Sequence, residues 1–289
     1  MAEVERLTDS ALLGEGPCWH AEEKVLYWVD ILGKNLHRYD PLSKTDHTWQ
    51  FDQTVGTVAP RTSGGLLLAL RHGFAFFDSS SGKIEQLAPV EPNLKTRFND
   101  GKCDPRGRFW CGTMDLQEKE SIGNFYRMDA NQAITKIASN IGVSNGMGWS
   151  PDHSTMYYID SPTRCVFSFD YDLETGDVAN RRVALELSED QGYPDGMTVD
   201  NEGMIWLAHW GAARICRWSP TTGTVLERYD TPAPHTSACC FGGKDLSDLY
   251  ITTARDGLTD TQLEDFPESG CLFRLKTSVC GSPTFAYAG

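Results

Sequence analysis

Apolar residues along the chain come in short bursts that alternate with polar ones at the period of a strand. VLYWVDILGKNLHRYDP from Val25 and GLLLALRHGFAFFDSSSG from Gly65 each read as two short strands around a turn. The outline returns in GRFWCGTMD from Gly107 with GNFYRMD from Gly123, and in TMYYIDSPTRCVFSFDYD from Thr155. It returns twice more, in MIWLAHWGAARICRWSPTTG from Met204 and in DLYITTARDG from Asp248 with GCLFRL from Gly270. Strand-favouring Tyr, Trp, Phe, Val and Ile crowd the bursts, and Gly, Pro, Asp and Ser fall between them, as in DPLSKTD, DLETGD and SPTTG. Six such units, spaced roughly 40–50 residues apart, predict an all-β, six-bladed β-propeller spanning 1–289 as a single domain. The ring must close, so RLTDSALL near the N-terminus is expected to add a strand to the last unit. Long stretches of helical period are missing; TDTQLEDF at 259–266 is the best short candidate and is expected to be a surface turn. A β-sandwich would need fewer, less regular strands, and an α/β-hydrolase would need helices between them.

A second pattern precedes four of the units. An acid or amide followed by Gly leads into an apolar stretch: Glu15-Gly16 in LGEGPCWH, Asp100-Gly101 in RFNDGKCDP, Asn145-Gly146 in SNGMGWSPD and Asp195-Gly196 in YPDGMTVD. In a propeller the innermost strand of each blade lines the central channel, so Glu15, Asp100, Asn145 and Asp195 are expected to converge on the axis. Carboxylates crowded there repel and raise one another's pKa, and a cation removes the conflict. Oxygen donors suit a hard cation such as Ca²⁺, Mg²⁺ or Mn²⁺, whereas Zn²⁺ usually recruits His or Cys. Taken singly, Asp-Gly and Asn-Gly are ordinary turn dipeptides; four in register favour a metal site on the central axis. The Gly after each is expected to let backbone and ligand approach closely.

Composition narrows the partners. Of 289 residues 40% are apolar, and the net charge of −14 argues against nucleic acid and anionic lipid as partners. No run of about 18 apolar residues would span a membrane, and MAEVERLTDS lacks the apolar core of a secretory signal. The nine Cys form no C-x-x-C pair and mostly sit in apolar contexts, which reads as reduced, buried thiols in a cytoplasmic protein.

LGEGPCWH, RFNDGKCDPRGRFWCGTM, SNGMGWSPD, YPDGMTVD, TTARDG and the terminal YAG resemble the senescence marker protein/regucalcin/gluconolactonase family of sugar lactonases, in order and over essentially the whole chain. The resemblance implies a six-bladed propeller with one divalent metal on the axis, held by Glu15, Asn145 and Asp195. It implies substrate contacts from Arg97 and Asn99, with Asp100 close behind. Vertebrate members place a Glu shortly after G-T-M; here the run is GTMDLQEKE, and Asp115, Gln117 or Glu118 could take that part. The implied partner is a small sugar lactone, and the implied cofactor is one of Ca²⁺, Zn²⁺, Mn²⁺, Mg²⁺ or Fe²⁺, acting as a Lewis acid while Asp195 serves as general base. The chain is expected to be a monomer or a weak homodimer. The polar loop DLQEKESIG at 115–123 reads either as a lid or as an ordinary solvated loop. A calcium-binding regulatory propeller without turnover is the alternative. The stretch GVSNG at 142–146 also matches the G-x-S-x-G of serine hydrolases. That motif needs a strand–turn–helix elbow, and the residues after it read as strand, turn, strand, so Asn145 rather than Ser144 is expected to be the functional residue.

Overall fold

The protein, described over residues 4–289 by a computed structural model, is an all-β, propeller-like fold in which every strand pairing is antiparallel. A short strand β1 (Val4–Arg6) opens the described chain. Four sheets of four strands follow in simple up-and-down order. They are β2–β5 (Gly14–His20, Val25–Asp30, Asn35–Asp40, Thr45–Gln50) and β6–β9 (Val55–Pro60, Leu66–Leu70, Gly73–Asp78, Lys83–Pro89). Next come β10–β13 (Thr96–Cys103, Phe109–Asp115, Gly123–Met128, Ile134–Ile141) and β14–β17 (Ser144–Trp149, Thr155–Asp160, Cys165–Tyr171, Val178–Glu186). The remaining strands share one eight-stranded sheet. In it, β18–β21 (Tyr193–Val199, Ile205–Trp210, Arg214–Ser219, Thr224–Asp230) form one run. The other run is β22–β24 (His235–Gly242, Asp248–Ala254, Phe273–Lys276) with β1 paired to β24. The two runs meet through the residue pair Trp210–His235.

Burial explains this layout. In β2–β5 the first two strands are almost wholly buried and the fourth is mostly exposed, and the other runs repeat the gradient. Apolar faces of neighbouring sheets fill the space between them: Tyr27, Val29 and Leu36 of one pack with Val58, Leu68 and Phe77 of the next. The turn after a first strand is pinned by the same device in two sheets. Asp104 accepts from Trp110 Nε1 and Arg108 Nε, and Asp200 accepts from Trp206 Nε1 and Arg217 Nε, all four carboxylate bonds being 2.6–3.0 Å long.

The first strands contact one another in closed order: β2 with β6, β6 with β10, β10 with β14, β14 with β18, β18 with β22 and β22 with β2. Each carries a register shift near its start, at Glu15/Cys18, Val55/Thr57, Phe98/Gly101, Ser144/Met147, Pro194/Met197 and Thr236/Ala238. A bulge re-aims the side chains within it, and the acid-Gly and amide-Gly pairs lie inside these shifts. The glycines let neighbouring first strands approach closely. A Cβ on Gly146 would meet Asp195 O and Met197 N at 2.6 Å each, and one on Gly56 would meet Asn99 O at 2.7 Å.

Two expectations shift. The closing strand is Val4–Arg6, and RLTDSALL beyond Arg6 follows β24 only through bonds such as Leu7 N to Leu272 O and Ala11 N to Gly270 O, both 2.8 Å. The expected surface turn at 259–266 is an α-helix, α1 (Asp260–Asp265), because Thr259 and Gln262 form a capping box. All nine cysteines are free thiols, and no helix among the described residues is long and apolar enough to cross a membrane. Residues 285–289 return to the first half of the chain. Tyr287 is fully buried, its N–H donates to Pro60 O and its hydroxyl to Asp129 O, each at 2.8 Å.

Gly146→Ala is expected to lower stability by about 1–3 kcal/mol, the range for overpacking, because the methyl would press on backbone that cannot yield. Urea midpoints of the variant and the parent protein check this.

Candidate functional site

The starts of the first strands open into one cavity, lined by Glu15, Arg97, Asn99, Glu118, Asn145 and Asp195 among others. Its mouth opens to solvent and the space within it is about 530 Å³, room for a sugar-sized molecule. Bulges deliver Glu15, Asn99, Asn145 and Asp195, and for Glu15, Asn145 and Asp195 the chain entering the bulge is held by a side chain from the second strand. Asp30 at the end of β3 accepts from Leu12 N (2.9 Å) and Leu13 N (3.0 Å), two residues before Glu15. Asp160 at the end of β15 accepts from Val143 N (3.0 Å) and Gly142 N (3.1 Å), two residues before Asn145. For Asp195 the holder is His209 on β19, whose Nδ1 donates to Gln191 O at 2.8 Å.

His209 is buried, and its second hydrogen bond requires the neutral ring. Trp218 Nε1 donates to its Nε2 at 3.3 Å, so Nε2 must keep its lone pair while Nδ1 carries the proton. Burial pushes its pKa down to about 4.

The carboxylates are crowded. Glu15, Asp195 and Asp100 are all buried. Burial and the charge of Asp100 push Glu15 up to about 8, partly offset by the Gly16 N–H and Arg97. Burial, then Glu15 and Asp100, push Asp195 well above the usual carboxylate range, and the Asn145 amide works the other way. Asp195 Oδ1 has no hydrogen-bond partner among the described residues. Among them, no three His, Cys, Asp or Glu side chains form a metal-binding cluster; the set at this hub reaches three donors only with Asn145.

Asn145 is itself fixed on two sides. Its Nδ2 donates to Ser161 Oγ at 2.9 Å, and its Oδ1 faces Asn99 Nδ2 at 3.4 Å. Asn99 also donates to Ser144 O (2.8 Å) and accepts from Arg97 Nη1 (2.6 Å), so its amide is committed within the protein. Arg97 spends Nη1 on Asn99 and on Phe98 O, leaving its other N–H groups toward the cavity and toward the charges of Glu118, Glu15, Asp256 and Asp195.

Asp100 and Asp115 lie elsewhere than expected. The bulge at Phe98/Gly101 sends Asn99 to this cavity and Asp100 to a second one at the far end of the channel, beside Lys102. Lys102 Nζ reaches across to Met197 O at 2.8 Å, tying β10 to β18 past the intervening β14. Asp115 does not line the cavity. Its carboxylate accepts from the N–H groups of Gln117, Lys119 and Glu120, which hold its pKa below the ordinary value and shape the turn that brings Glu118 to the mouth. Glu118 adopts φ 55°, a left-handed conformation uncommon for a side chain of this kind. Ser144 is buried within β14 and its Oγ accepts from Tyr158 at 2.9 Å, so the serine-elbow reading fails on geometry. Sequence reasoning missed Ser161, His209 and His235, which carry no motif of their own, and gave no role to Asp256 of TTARDG.

Residues 13–255 match the SMP-30/Gluconolactonase/LRE-like region. The chain belongs to this family. It is 40% identical to regucalcin of Danio rerio over 96% of this chain and 95% of the relative. It is 36% identical to a putative sugar lactone lactonase, YvrE, of Bacillus subtilis, over 96% of each. Its fold matches that of a calcium-binding protein, regucalcin, from Agrobacterium tumefaciens, with a TM-score of 0.94 at 29% identity, covering 99% of this chain and 97% of that one.

His209 yields a pH prediction for this family member. Its folded pKa of about 4 lies below the ordinary 6.5, so the unfolded chain binds the extra proton. The stability that the neutral ring contributes is complete above about pH 6.5 and is lost progressively as pH falls toward 4. His209→Gln is expected to flatten the dependence of urea stability on pH between 7 and 5.

Proposed function

We propose that the protein hydrolyses a sugar lactone with one divalent cation held by Glu15, Asn145 and Asp195. Asp195 Oδ1 carries the reading: a buried carboxylate oxygen without a partner, beside a second carboxylate forced toward protonation. Such a group is costly to bury unless a cation or donor completes it. The oxygen donors of Glu, Asn and Asp fit a hard ion of the Ca²⁺, Mg²⁺ or Mn²⁺ kind. The relatives' names, a calcium-binding regucalcin and a sugar lactone lactonase, support both halves of the proposal. We read the ring as six four-stranded blades, because the eight-stranded sheet divides at the single pair Trp210–His235 and the first strands contact one another in closed order.

The cation, when bound, supplies Lewis acidity toward the lactone carbonyl and the attacking water. Asp195 takes a proton from water as its oxygen bonds to the carbonyl carbon. The acyl–oxygen bond then breaks, the ring oxygen leaves with the electron pair and is protonated, and the open-chain aldonic acid forms. Arg97 orients the substrate through its free N–H groups. Asn99 acts one step back, by holding Asn145 and Arg97 in place. Glu118 at the mouth accepts from sugar hydroxyls.

Asp195→Asn is expected to lower kcat on lactones by roughly 10²–10⁴-fold, while Ser144→Ala keeps turnover. Both are read with a pH indicator across glucono-, galactono-, xylono- and arabinonolactone. Added Ca²⁺ or Mn²⁺ is expected to raise the melting temperature of the parent protein, and less so for Glu15→Gln. Chelator is expected to abolish turnover. Cation-induced stabilisation with no lactone turned over would favour the regulatory calcium-binding reading instead.

A further inference from the structure

Opposite Arg97 and Glu118 across the mouth stands a wall that the reaction above does not use. Arg97 lies on β10, and three steps round the ring of first strands lies β22, which begins at His235. His235, Trp210 and Asp256 all line the same cavity. Three independent restraints fix the His235 ring. It is the sheet partner of Trp210, it stacks on that indole at 4.0 Å with the planes 14° apart, and its Nδ1 lies 2.9 Å from Asp256 O. A carbonyl oxygen only accepts, so Nδ1 carries the proton and Nε2 presents a lone pair. Burial lowers the pKa of this ring, which keeps it neutral near pH 7. The ring makes no other hydrogen bond among the described residues, and His235 lines the cavity.

The chemistry of the mouth is therefore lopsided. Beside the donors Arg97, Tyr193 and Trp210 it offers strong acceptors: Nε2 of His235 and the carboxylates of Glu118 and Asp256. Hydroxyl groups are the donors such a mouth can satisfy. A lactone without hydroxyls would have to strip water from these groups and return nothing. The position of the His235 ring is settled before any ligand arrives, so little ordering is needed when a hydroxyl docks.

We propose that His235 is a specificity-determining residue whose Nε2 accepts a hydrogen bond from a substrate hydroxyl remote from Arg97, so that the site takes polyhydroxylated lactones in preference to unsubstituted ones. This rests on the lactonase reading, and the test separates the two. Metal-loaded parent protein, His235→Phe and His235→Gln are assayed on glucono-δ-lactone and on δ-valerolactone. Phe keeps the stack on Trp210 and removes the acceptor; Gln restores an acceptor without the ring. The ratio of kcat/KM for the hydroxylated over the plain lactone is expected to fall roughly tenfold in His235→Phe, the worth of about one hydrogen bond, and to recover in part in His235→Gln. An unchanged ratio, or an equal fall on both substrates, overturns the proposal. Calorimetric binding of the unreactive polyol xylitol supplies a readout that needs no turnover. Weaker binding to His235→Phe than to the parent supports the acceptor role even if no lactone is hydrolysed. Equal binding, or none to the parent, overturns it.

Discussion

Three carboxylates buried around one axis are the constraint on which the rest of the structure depends. Burial raises the pKa of all three; the charge of Asp100 adds to the rise of Glu15, and Glu15 and Asp100 add to that of Asp195. A fold tolerates this only if the strands that bear them are held rigidly and countercharges stand close. The countercharges are Arg97 on one side and Lys102 on the other, each on the same strand as Asp100. β10 thus carries one carboxylate and both neighbouring cations, and it works as the electrostatic keystone of the hub.

Rigidity comes from a repeated construction. A bulge places a polar side chain, a glycine lets the next first strand press against it, and a residue on the second strand anchors the incoming chain. Asp30 and Asp160 anchor by accepting from backbone N–H groups, and His209 anchors by donating to a carbonyl. Different residues thus solve one geometric problem in successive sheets, which is why the repeat is plain in strand pattern and faint in side-chain identity.

How far the sequence could be read follows from that division. Strand bursts and turn residues were legible because their periods are local, and Glu15, Asn145 and Asp195 were legible because each precedes a glycine that ring packing demands. The fate of Asp100 was not, because two adjacent polar residues within one bulge face opposite ends of the channel and their order alone does not say which. Asp115 and Glu118 were indistinguishable as carboxylates; only the folded turn shows one consumed by backbone N–H groups and the other released to the mouth. His209 and His235 act through partners distant in the chain, Gln191, Trp218 and Asp256, that no spacing rule connects to them.

The way the ends of the chain are stitched in bears on how the molecule is made. β1 pairs with β24, and Tyr287 inserts beside Pro60 and Asp129. β1 must therefore wait, unpaired, until β24 has been made, and Pro60 and Asp129 wait for Tyr287. During synthesis the early sheets can form as they emerge, but the circle stays open until β24 has emerged, leaving sheet edges bare and prone to stray association. A ribosome stalled before β24 would hold a chain with most of its strands made and no closed ring.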